Sequence, residues 1–457
     1  YLRLDAMSYP PVDARALAAD RKRLNALKNV DYEVVMAVKW RVTREIFNKH
    51  HDAILRDEAF LAFLQRNRDW VLDYAVFSVK RDEHGTADFT KWNEWAGYDP
   101  KKAESLANST EAMYFIWLQY ELDRQLSDAV AHLRKVGVAL KGDLPIGVDR
   151  ESVDAWVSPH LFKMNAQAGA PPDPFAAKGQ NWGFPTYDWE EMKKDGYAWW
   201  RARFAKLSRY FDAYRIDHIL GFFRIWQVPQ EHIEGIMGWF DPALPVEERE
   251  FAERGIHFDR GRFCEPFITD EIIARRFGDF AEGVRRDFLR DLGHGRHALR
   301  QEFATQRRLA DHFAELAPRH WANQGWLRDS LLDLVAEVLF FDDGNGGYHP
   351  RMSMEDTDSF KALDWNTQHR LHGLYVDYFF RRQEGFWEAQ AMQKLPAMRS
   401  ASDMLLCGED LGMVPACVPG VMQTLGILSL EIQRWPKDSK TEFAHPARMP
   451  YMSVVTT

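Results

Sequence analysis

The sequence predicts an α/β fold built around a parallel sheet. Short apolar runs, such as residues 213–217 and 404–409, alternate with longer segments of helical composition, which is typical of strands joined by crossover helices. Both of these runs end in a carboxylate, Asp217 and Glu409, as a barrel strand does when it delivers an acid to the rim. The pattern fits either a closed barrel or a doubly wound sheet. A barrel with insertions would absorb all 457 residues as one extended unit.

The first 135 residues are predicted to be mainly helical. Apolar residues recur at spacings of three and four over residues 35–46 and again over residues 115–133, which indicates amphipathic helices. Gly137 is placed to end the second helix. Residues 70–77 predict a more buried helix between them. This region forms the start of a first predicted domain, residues 1–238.

After Gly137 the pattern changes to strands. Residues 138–148 are short, apolar and bounded by glycine, which favours a strand. Residues 169–187 predict a long aromatic loop, which is more often functional than a short connection. A helix over residues 197–210 and the strand over residues 213–217 follow.

The rest of the chain divides into two predicted parts. Residues 239–358 carry mixed charges and predict an insertion that is mostly helical, with solvated helix faces. Residues 359–457 return to the strand and helix alternation, with strands over residues 404–409 and 427–432 and a further one beginning at 453–455. A GxGxxG motif after a strand and a P-loop are both absent from the sequence, which weakens the nucleotide-binding version of the fold.

Composition narrows the classes of partner. The net charge of −9 argues against nucleic acid as a partner. The sequence contains no run of roughly 18 apolar residues, so no membrane span is predicted. The 17 tryptophans and 30 phenylalanines serve mainly a core but also suit carbohydrate, whose apolar ring faces stack on indole. Three cysteines without metal-ligand spacing predict reduced thiols and a cytoplasmic location.

Arg215 and Asp217 point to the same side of their strand because side chains alternate. A guanidinium beside Asp217 would keep it ionised, as a nucleophile that attacks an anomeric carbon requires. The alternative is a plain ion pair at a strand end.

Glu409 needs the opposite environment, because a general acid must hold a proton near neutral pH. Leu405, Leu406 and Leu411 could desolvate it, and a neighbouring ionised carboxylate would raise its pKa further. The alternative for Glu409 and Asp410 is a helix N-terminus, where acids are favoured. Two carboxylates on adjacent strand ends are the minimum apparatus for breaking a glycosidic bond, and we expect roughly 5–6 Å between them.

Five ordered motifs resemble those of the amylomaltases, the 4-α-glucanotransferases or disproportionating enzymes of the α-amylase clan. These motifs are residues 70–75 (WVLDYA), 142–146 (GDLPI), 169–185 (GAPPD followed by GQNWGFP), 215–221 (RIDH followed by Gly) and 408–412 (GEDLG). The matches span nearly the whole chain apart from the charged insertion. The larger branch of that family, typified by the plant cytosolic disproportionating enzyme, is similar in having such an insertion.

The resemblance implies a (β/α)8 TIM-type barrel that is incomplete within this chain, with an N-terminal helical subdomain and the insertion between the nucleophile and acid/base strands. It also implies Asp217 as nucleophile and Glu409 as acid/base. Supporting or substrate-binding roles would fall to Arg215, His218, Asp143, Gln180, Asn181, Trp182 and Asp410. The family's third carboxylate would lie beyond Thr457, and starch-binding modules would lie N-terminal to Tyr1.

The expected activity is retaining transfer of glucosyl, maltosyl or longer glucanosyl units to the 4-hydroxyl of an acceptor sugar. The expected partners are α-1,4-glucans, maltose or maltooligosaccharides and glucose, without a metal or organic cofactor, nucleic acid or membrane; self-association is left open. The rivals are an α-glucan hydrolase and, for this segment, an inactive glucan-binding protein. A nucleotide-dependent sugar enzyme is disfavoured because the phosphate loop is missing.

Overall fold

The structure is a computed structural model that describes residues 2–316, 321–437, 440–450 and 453–456. The chain divides into two compact units. The first comprises Tyr1–Gly142, Glu151–Pro159 and Arg203–Ala213, and the second comprises Asp143–Arg150, His160–Ala202 and Tyr214–Thr457. The predicted boundaries at residues 238 and 358 stay a prediction.

The first unit is mainly helical, as the apolar spacing predicts. Side chains of Asp13, Asp31, Asp57, Asp99 and Ser109 accept hydrogen bonds from backbone N–H groups at five helix starts, which satisfies donors that have no partner within the helix. The helices of this unit are α1 (Ala14–Asn25), α2 (Tyr32–Ile54), α3 (Glu58–Arg66), α4 (Arg68–His84), α5 (Pro100–Ala107), α6 (Thr110–Lys135) and α7 (Val153–Val157). Next along the chain come α8 (Trp189–Lys193), which belongs to the second unit, and α9 (Ala198–Leu207), of which residues 203–207 belong to the first.

The core of the first unit lies between α2, α3, α4 and α6. Phe47, Tyr114 and Trp117 are buried there with ring centroids 5.4 to 6.4 Å apart. The hydroxyl groups of Thr43 and Tyr114 lie 2.7 Å apart, so these two buried polar groups are paired with each other.

The strands are mostly short. In chain order they are β1 (Lys141–Leu144), β2 (Phe162–Lys163), β3 (Ala166–Ala170), β4 (Gln180–Asn181), β5 (Thr186–Tyr187), β6 (Ala213–Ile216), β7 (Ile225–Pro229), β8 (Trp239–Asp241), β9 (Val246–Glu247), β10 (Ile268–Thr269), β11 (Leu289–Gly293), β12 (Arg296–Leu299), β13 (Phe340–Asp342), β14 (Gly347–Pro350), β15 (Leu405–Gly408), β16 (Leu428–Ile432) and β17 (Ser453–Thr456).

A five-stranded sheet in the order β1-β6-β15-β16-β17 positions the candidate site. The pairs β15–β16 and β16–β17 are parallel. Backbone N–H groups of Asp212 and Asp217 donate to the carbonyls of Leu140 and Leu144, so β1 and β6 also run in the same direction. The predicted parallel sheet is therefore present, and its carboxyl-terminal strand ends meet at one edge.

The remaining helices are α10 (Glu248–Glu253), α11 (Arg260–Phe263), α12 (Asp270–Phe277), α13 (Ala281–Phe288), α14 (Gln306–Glu315), α15 (Trp321–Val335), α16 (Asp358–Lys361), α17 (Trp365–Phe380), α18 (Glu384–Arg399) and α19 (Val418–Leu425). Residues 239–358 also contain antiparallel sheets in the orders β10-β12-β11 and β13-β14-β9. These strands were not predicted, because they are only two to five residues long and the mixed charges of the segment indicated solvated helices.

Most of residues 169–187 lies outside helices and strands, as predicted, but the end of β3 and the two-residue strands β4 and β5 fall within this range. β3 pairs with both β4 and β7 in antiparallel register. Gly169 is needed there, because a Cβ atom would lie 2.0 Å from the carbonyl oxygen of Gln180. The glycine that suggested a loop instead allows a close approach between strands.

Candidate active site

Arg215 joins two carboxylates at the edge of the five-stranded sheet. Its Nη1 lies 2.9 Å from both carboxylate oxygens of Asp143, and its Nη2 lies 2.7 Å from Oδ1 of Asp217. Burial lowers the pKa of Arg215, but the bond to Asp143 and the charges of both carboxylates raise it on balance. The side chain of Asp217 is 45% exposed, so Arg215 fixes a carboxylate that remains open to a substrate.

Glu409 follows β15 and lies beside the end of β6. Its backbone N–H donates to the carbonyl of Ile216, and its carbonyl accepts from the N–H of Ile219, so it is bonded on both sides of Asp217. Gly408 permits this approach, since a Cβ atom there would lie 2.7 Å from the Ile219 side chain. The two acids are therefore carried by neighbouring strand ends.

The carboxylate of Glu409 is held by backbone donors. Oε1 accepts from the N–H of Leu411 at 2.9 Å, and Oε2 accepts from the N–H of His218 at 3.0 Å. Burial raises the pKa of Glu409; the two backbone hydrogen bonds and Arg215 oppose this shift, whereas the charge of Asp217 adds to it. A carboxyl group with a raised pKa keeps its proton to higher pH, as a general acid requires.

His218 has a left-handed backbone, with φ 49° and ψ 56°. This conformation is costly for residues other than glycine and points its N–H at Glu409. Burial lowers the pKa of His218 to about 3, and Arg224 adds to the shift. The imidazole is therefore neutral near pH 7 and meets the edge of the Trp182 ring at 5.1 Å between centroids.

Gln180, Asn181 and Trp182 lie together on and just after β4. Trp182 Nε1 donates to Oε1 of Gln180 at 3.0 Å, and its ring stacks on Phe184 at 5.8 Å. Asn181 is tied down through its amide, which donates to the carbonyl of Ile233. These bonds hold the indole against His218, whose backbone N–H bonds to Glu409.

The side chain of Asp410 is directed away from Glu409, the residue before it. Its oxygens accept from the N–H of Leu430 at 3.0 Å and from Nζ of Lys437 at 2.8 Å, and Lys437 also lies 2.8 Å from Glu431. A helix does not begin at Glu409, since the next one, α19, starts at Val418. The alternative of a helix N-terminus at this position is therefore wrong.

The structure brings the sequence-predicted residues other than Asp410 into one region of the second unit. Asp143, Arg215 and Asp217 form one ion-paired group, and Glu409 and Trp182 meet it through His218. Asp410 belongs to a separate cluster with Lys437 and Glu431.

Two residues that support the site, Lys437 and Arg224, were not predicted from the sequence. No sequence feature marks Lys437 as the lysine that reaches Asp410. Arg224 does have a distinguishing feature, because it is a single charge in the apolar run 219–226. It is 3% exposed, lies over the Phe240 ring at 4.4 Å and donates to the carbonyl of Met413 in the segment after Glu409.

Neither a cluster of metal ligands nor a helix suited to cross a membrane occurs among the described residues. Within residues 2–316, 321–437, 440–450 and 453–456, we find no group of three His, Cys, Asp or Glu side chains arranged to hold a metal ion. None of the helices in those ranges combines the length and apolarity that a membrane crossing needs.

Comparisons with known proteins agree on one family. The family model described as 4-alpha-glucanotransferase matches residues 1–457. The chain is 40% identical over 464 residues to 4-alpha-glucanotransferase DPE2 of Oryza sativa subsp. japonica, which covers 99% of this chain and 49% of that relative. It is 35% identical over 226 residues to a 4-alpha-glucanotransferase of Synechocystis sp., covering 47% of this chain and 45% of the relative.

The fold has a counterpart among solved structures. It is similar to that of the amylomaltase from Corynebacterium glutamicum with a TM-score of 0.50 and 17% sequence identity, over 97% of this chain and 41% of that one. This similarity concerns the fold alone. The chain spans about half the length of the relatives that it matches.

Proposed function

Because the chain belongs to the 4-alpha-glucanotransferase family, we propose that the whole protein transfers glucosyl, maltosyl or longer glucanosyl units between α-1,4-glucans. Its donors would be maltose, maltooligosaccharides or longer glucans, and glucose would be among its acceptors or products. The observation that carries the proposal is the bond from the N–H of His218, the residue after Asp217, to the carboxylate of Glu409. It supports a paired role for two acids that are distant in sequence.

Asp217 is the proposed nucleophile. Its oxygen would attack the anomeric carbon of the donor, forming a glycosyl-enzyme ester while the bond to the leaving sugar breaks. The ion pair with Arg215 supports this role, because it orients the carboxylate while leaving it exposed. Asp143 holds the other side of the guanidinium and would act as a positioning residue.

Glu409 is the proposed acid/base. It would protonate the departing glycosidic oxygen and then remove the proton from the incoming 4-hydroxyl. Its burial and the charge of Asp217 both favour the protonated form that the first step needs. Retention also requires a carboxyl separation of roughly 5–5.5 Å, which adjacent strand ends can supply.

Transfer rather than hydrolysis requires that the acceptor be held and water be kept out. We assign this task to Trp182 with Gln180 and Asn181, while His218 would line the donor site. The rings of Phe175 and Trp435 form an exposed aromatic pair, with their centroids 5.8 Å apart. Such rings offer apolar faces on which sugars stack.

The proposed architecture is a (β/α)8 barrel to which the five-stranded parallel sheet belongs, with the helical subdomain and the insertion as additions. The strand order and the similarity to the amylomaltase fold support it. Asp410 would support the site through Leu430 and Lys437. A cytoplasmic location stays a prediction from Cys264, Cys407 and Cys417, which form no disulfide and lie in the described ranges.

The test is to incubate the whole protein with maltotriose and to separate the products by length. Transfer predicts maltooligosaccharides longer than the donor together with glucose or maltose. Only shorter products would indicate the rival α-glucan hydrolase. Glucan binding without any product would indicate the second rival, a non-catalytic binding protein.

A further inference from the structure

A cavity of about 900 Å³ lies within the second unit, between α11 and the hairpin of β11 and β12. None of the candidate active-site residues lines it. Its charged lining includes Arg262, Arg290 and Arg296, against the two carboxylates of Asp259 and Glu265. We call it the arginine cavity. Cations are in excess there although the chain as a whole carries a net charge of −9.

Register places two of the arginines on one face of the hairpin. Arg290 pairs with Ala298 in the antiparallel ladder, and Arg296 lies two residues from Ala298. Residues that pair directly, and residues two apart, share a face. Arg290 and Arg296 therefore project from the same side, toward the cavity that both line.

A second contact brings Arg262 close to Arg296. The guanidinium carbons of both lie over the ring of Phe267, at 3.9 and 4.5 Å from its centroid. Burial lowers the pKa of Arg262 to about 10, and the charge of Arg296 adds to this shift. Two cations are thus held close to each other around one aromatic ring.

The arginines of the cavity differ in whether their guanidinium groups have hydrogen-bond partners. Arg262 donates to the hydroxyl of Ser359 at 2.5 Å and to its carbonyl at 2.6 Å. In contrast, Nε of Arg296 is buried and has no hydrogen-bond partner in the described part of the chain. Within the same ranges, neither Arg290 nor Arg296 has a carboxylate oxygen within the 4.0 Å of an ion pair.

The two acidic residues that line the cavity do not pair with Arg290 or Arg296. Asp259 caps α11 by accepting from the N–H of Arg262 at 3.3 Å, and Glu265 lies 3.9 Å from Arg260. By contrast, Arg286, in α13 just before the hairpin, pairs with Asp287 at 2.8 Å. Arg290 and Arg296, which both line the cavity, have no such carboxylate partner in the described ranges.

We propose that the arginine cavity binds a small molecule through a phosphate group, which Arg290 and Arg296 hold from one face of the hairpin. Guanidinium forks match phosphate oxygens in spacing and charge. His294 and Gln301 line the same cavity and add further polar groups, while Leu292 and Pro266 offer apolar surface. The volume exceeds what a bare phosphate needs and suits a phosphate ester of a sugar.

The test is titration calorimetry on the whole protein at constant ionic strength, with inorganic phosphate, glucose 6-phosphate and glucose as separate probes. Saturable binding of both phosphates and none of glucose by this cavity is expected. The variants are Arg290→Gln and Arg296→Gln, and Arg286→Gln removes the same charge outside the cavity as a matched control. Arg290 is exposed, so its replacement leaves folding intact, which circular dichroism verifies.

Each cavity variant should weaken phosphate binding roughly tenfold or more, because one charge-assisted contact is lost, and Arg286→Gln should leave it within about twofold. Tighter binding of glucose 6-phosphate than of inorganic phosphate would assign the ester as ligand; equal affinity would assign the phosphate group alone. Absence of saturable binding, or equal weakening by Arg286→Gln, would overturn the proposal. Glucan transfer does not enter the readout, so the outcome is independent of the proposed function.

Discussion

His218 immediately follows Asp217 in the chain, and its backbone N–H donates to Oε2 of Glu409 at 3.0 Å. One hydrogen bond thereby ties the proposed acid/base to the segment that carries the proposed nucleophile. Because the donor is a backbone group, the tie does not depend on the histidine side chain. It fixes Glu409 relative to β6 while its pKa is raised by burial.

Removing the charge of Asp217 should lower the pKa of Glu409. The negative charge of Asp217 disfavours a second carboxylate nearby, so Asp217→Asn makes ionisation of Glu409 easier. Carbon-13 NMR of labelled glutamate can follow this titration in the whole protein. Asp143→Asn is the matched control, since Asp143 is not among the charges that shift Glu409. A pKa of Glu409 that rises or stays constant in Asp217→Asn would contradict the coupling.

Replacing Arg215 by lysine should reduce kcat about 10- to 100-fold. A single ammonium group cannot occupy both positions from which the guanidinium reaches Asp143 and Asp217. The measurement is glucose release from maltotriose with the whole protein. Arg260→Lys is the control, because Arg260 pairs with Asp342 outside the site. Equal activity of Arg215→Lys and wild type would remove the positioning role.

The left-handed backbone at position 218 predicts an order of stability. His218→Asn should fold nearly as well as wild type, because asparagine tolerates this region. His218→Val should lose about 1–2 kcal/mol of unfolding free energy, because a β-branched residue is strained there. Denaturant unfolding of the three proteins gives the comparison. Equal stability of the valine and asparagine variants would show that the backbone conformation is different.

Trp182→Ala should raise the ratio of hydrolysis to transfer. The indole is held against His218 and Gln180, where it would exclude water from the glycosyl-enzyme. Product analysis with maltotriose measures free reducing ends against longer oligosaccharides. Trp365→Ala serves as control, since Trp365 is 72% exposed and stacks on His369 in α17. An unchanged product ratio in Trp182→Ala would assign the water-excluding role elsewhere.

Much of this arrangement could be predicted from the sequence. The period of apolar residues predicted α2 and α6, and the short runs before Asp217 and Glu409 predicted β6 and β15. These signals are local, because burial imposes one period on a helix and another on a strand. The five family motifs then brought together residues that are distant along the chain.

The remainder depends on contacts that no local pattern encodes. The lysine that reaches Asp410 lies 27 positions away, in a segment without a motif. The strands β10, β11 and β12 are only two to five residues long, and β11 and β12 carry charged residues, so no apolar alternation marks them in the sequence. Their pairing is visible only in the backbone ladder. The glycine-rich region at Gly169 predicted a loop because close packing and turning both favour glycine.

The most direct test of the proposed mechanism is to trap the glycosyl-enzyme. Glu409→Gln in the whole protein is incubated with α-maltosyl fluoride, whose fluoride departs without needing a proton, so the first step proceeds while the second lacks its base. Intact-mass analysis followed by peptide mapping should find one maltosyl group on Asp217. An adduct on another residue, or turnover of the fluoride without any adduct and with inversion at the anomeric carbon, would contradict the account.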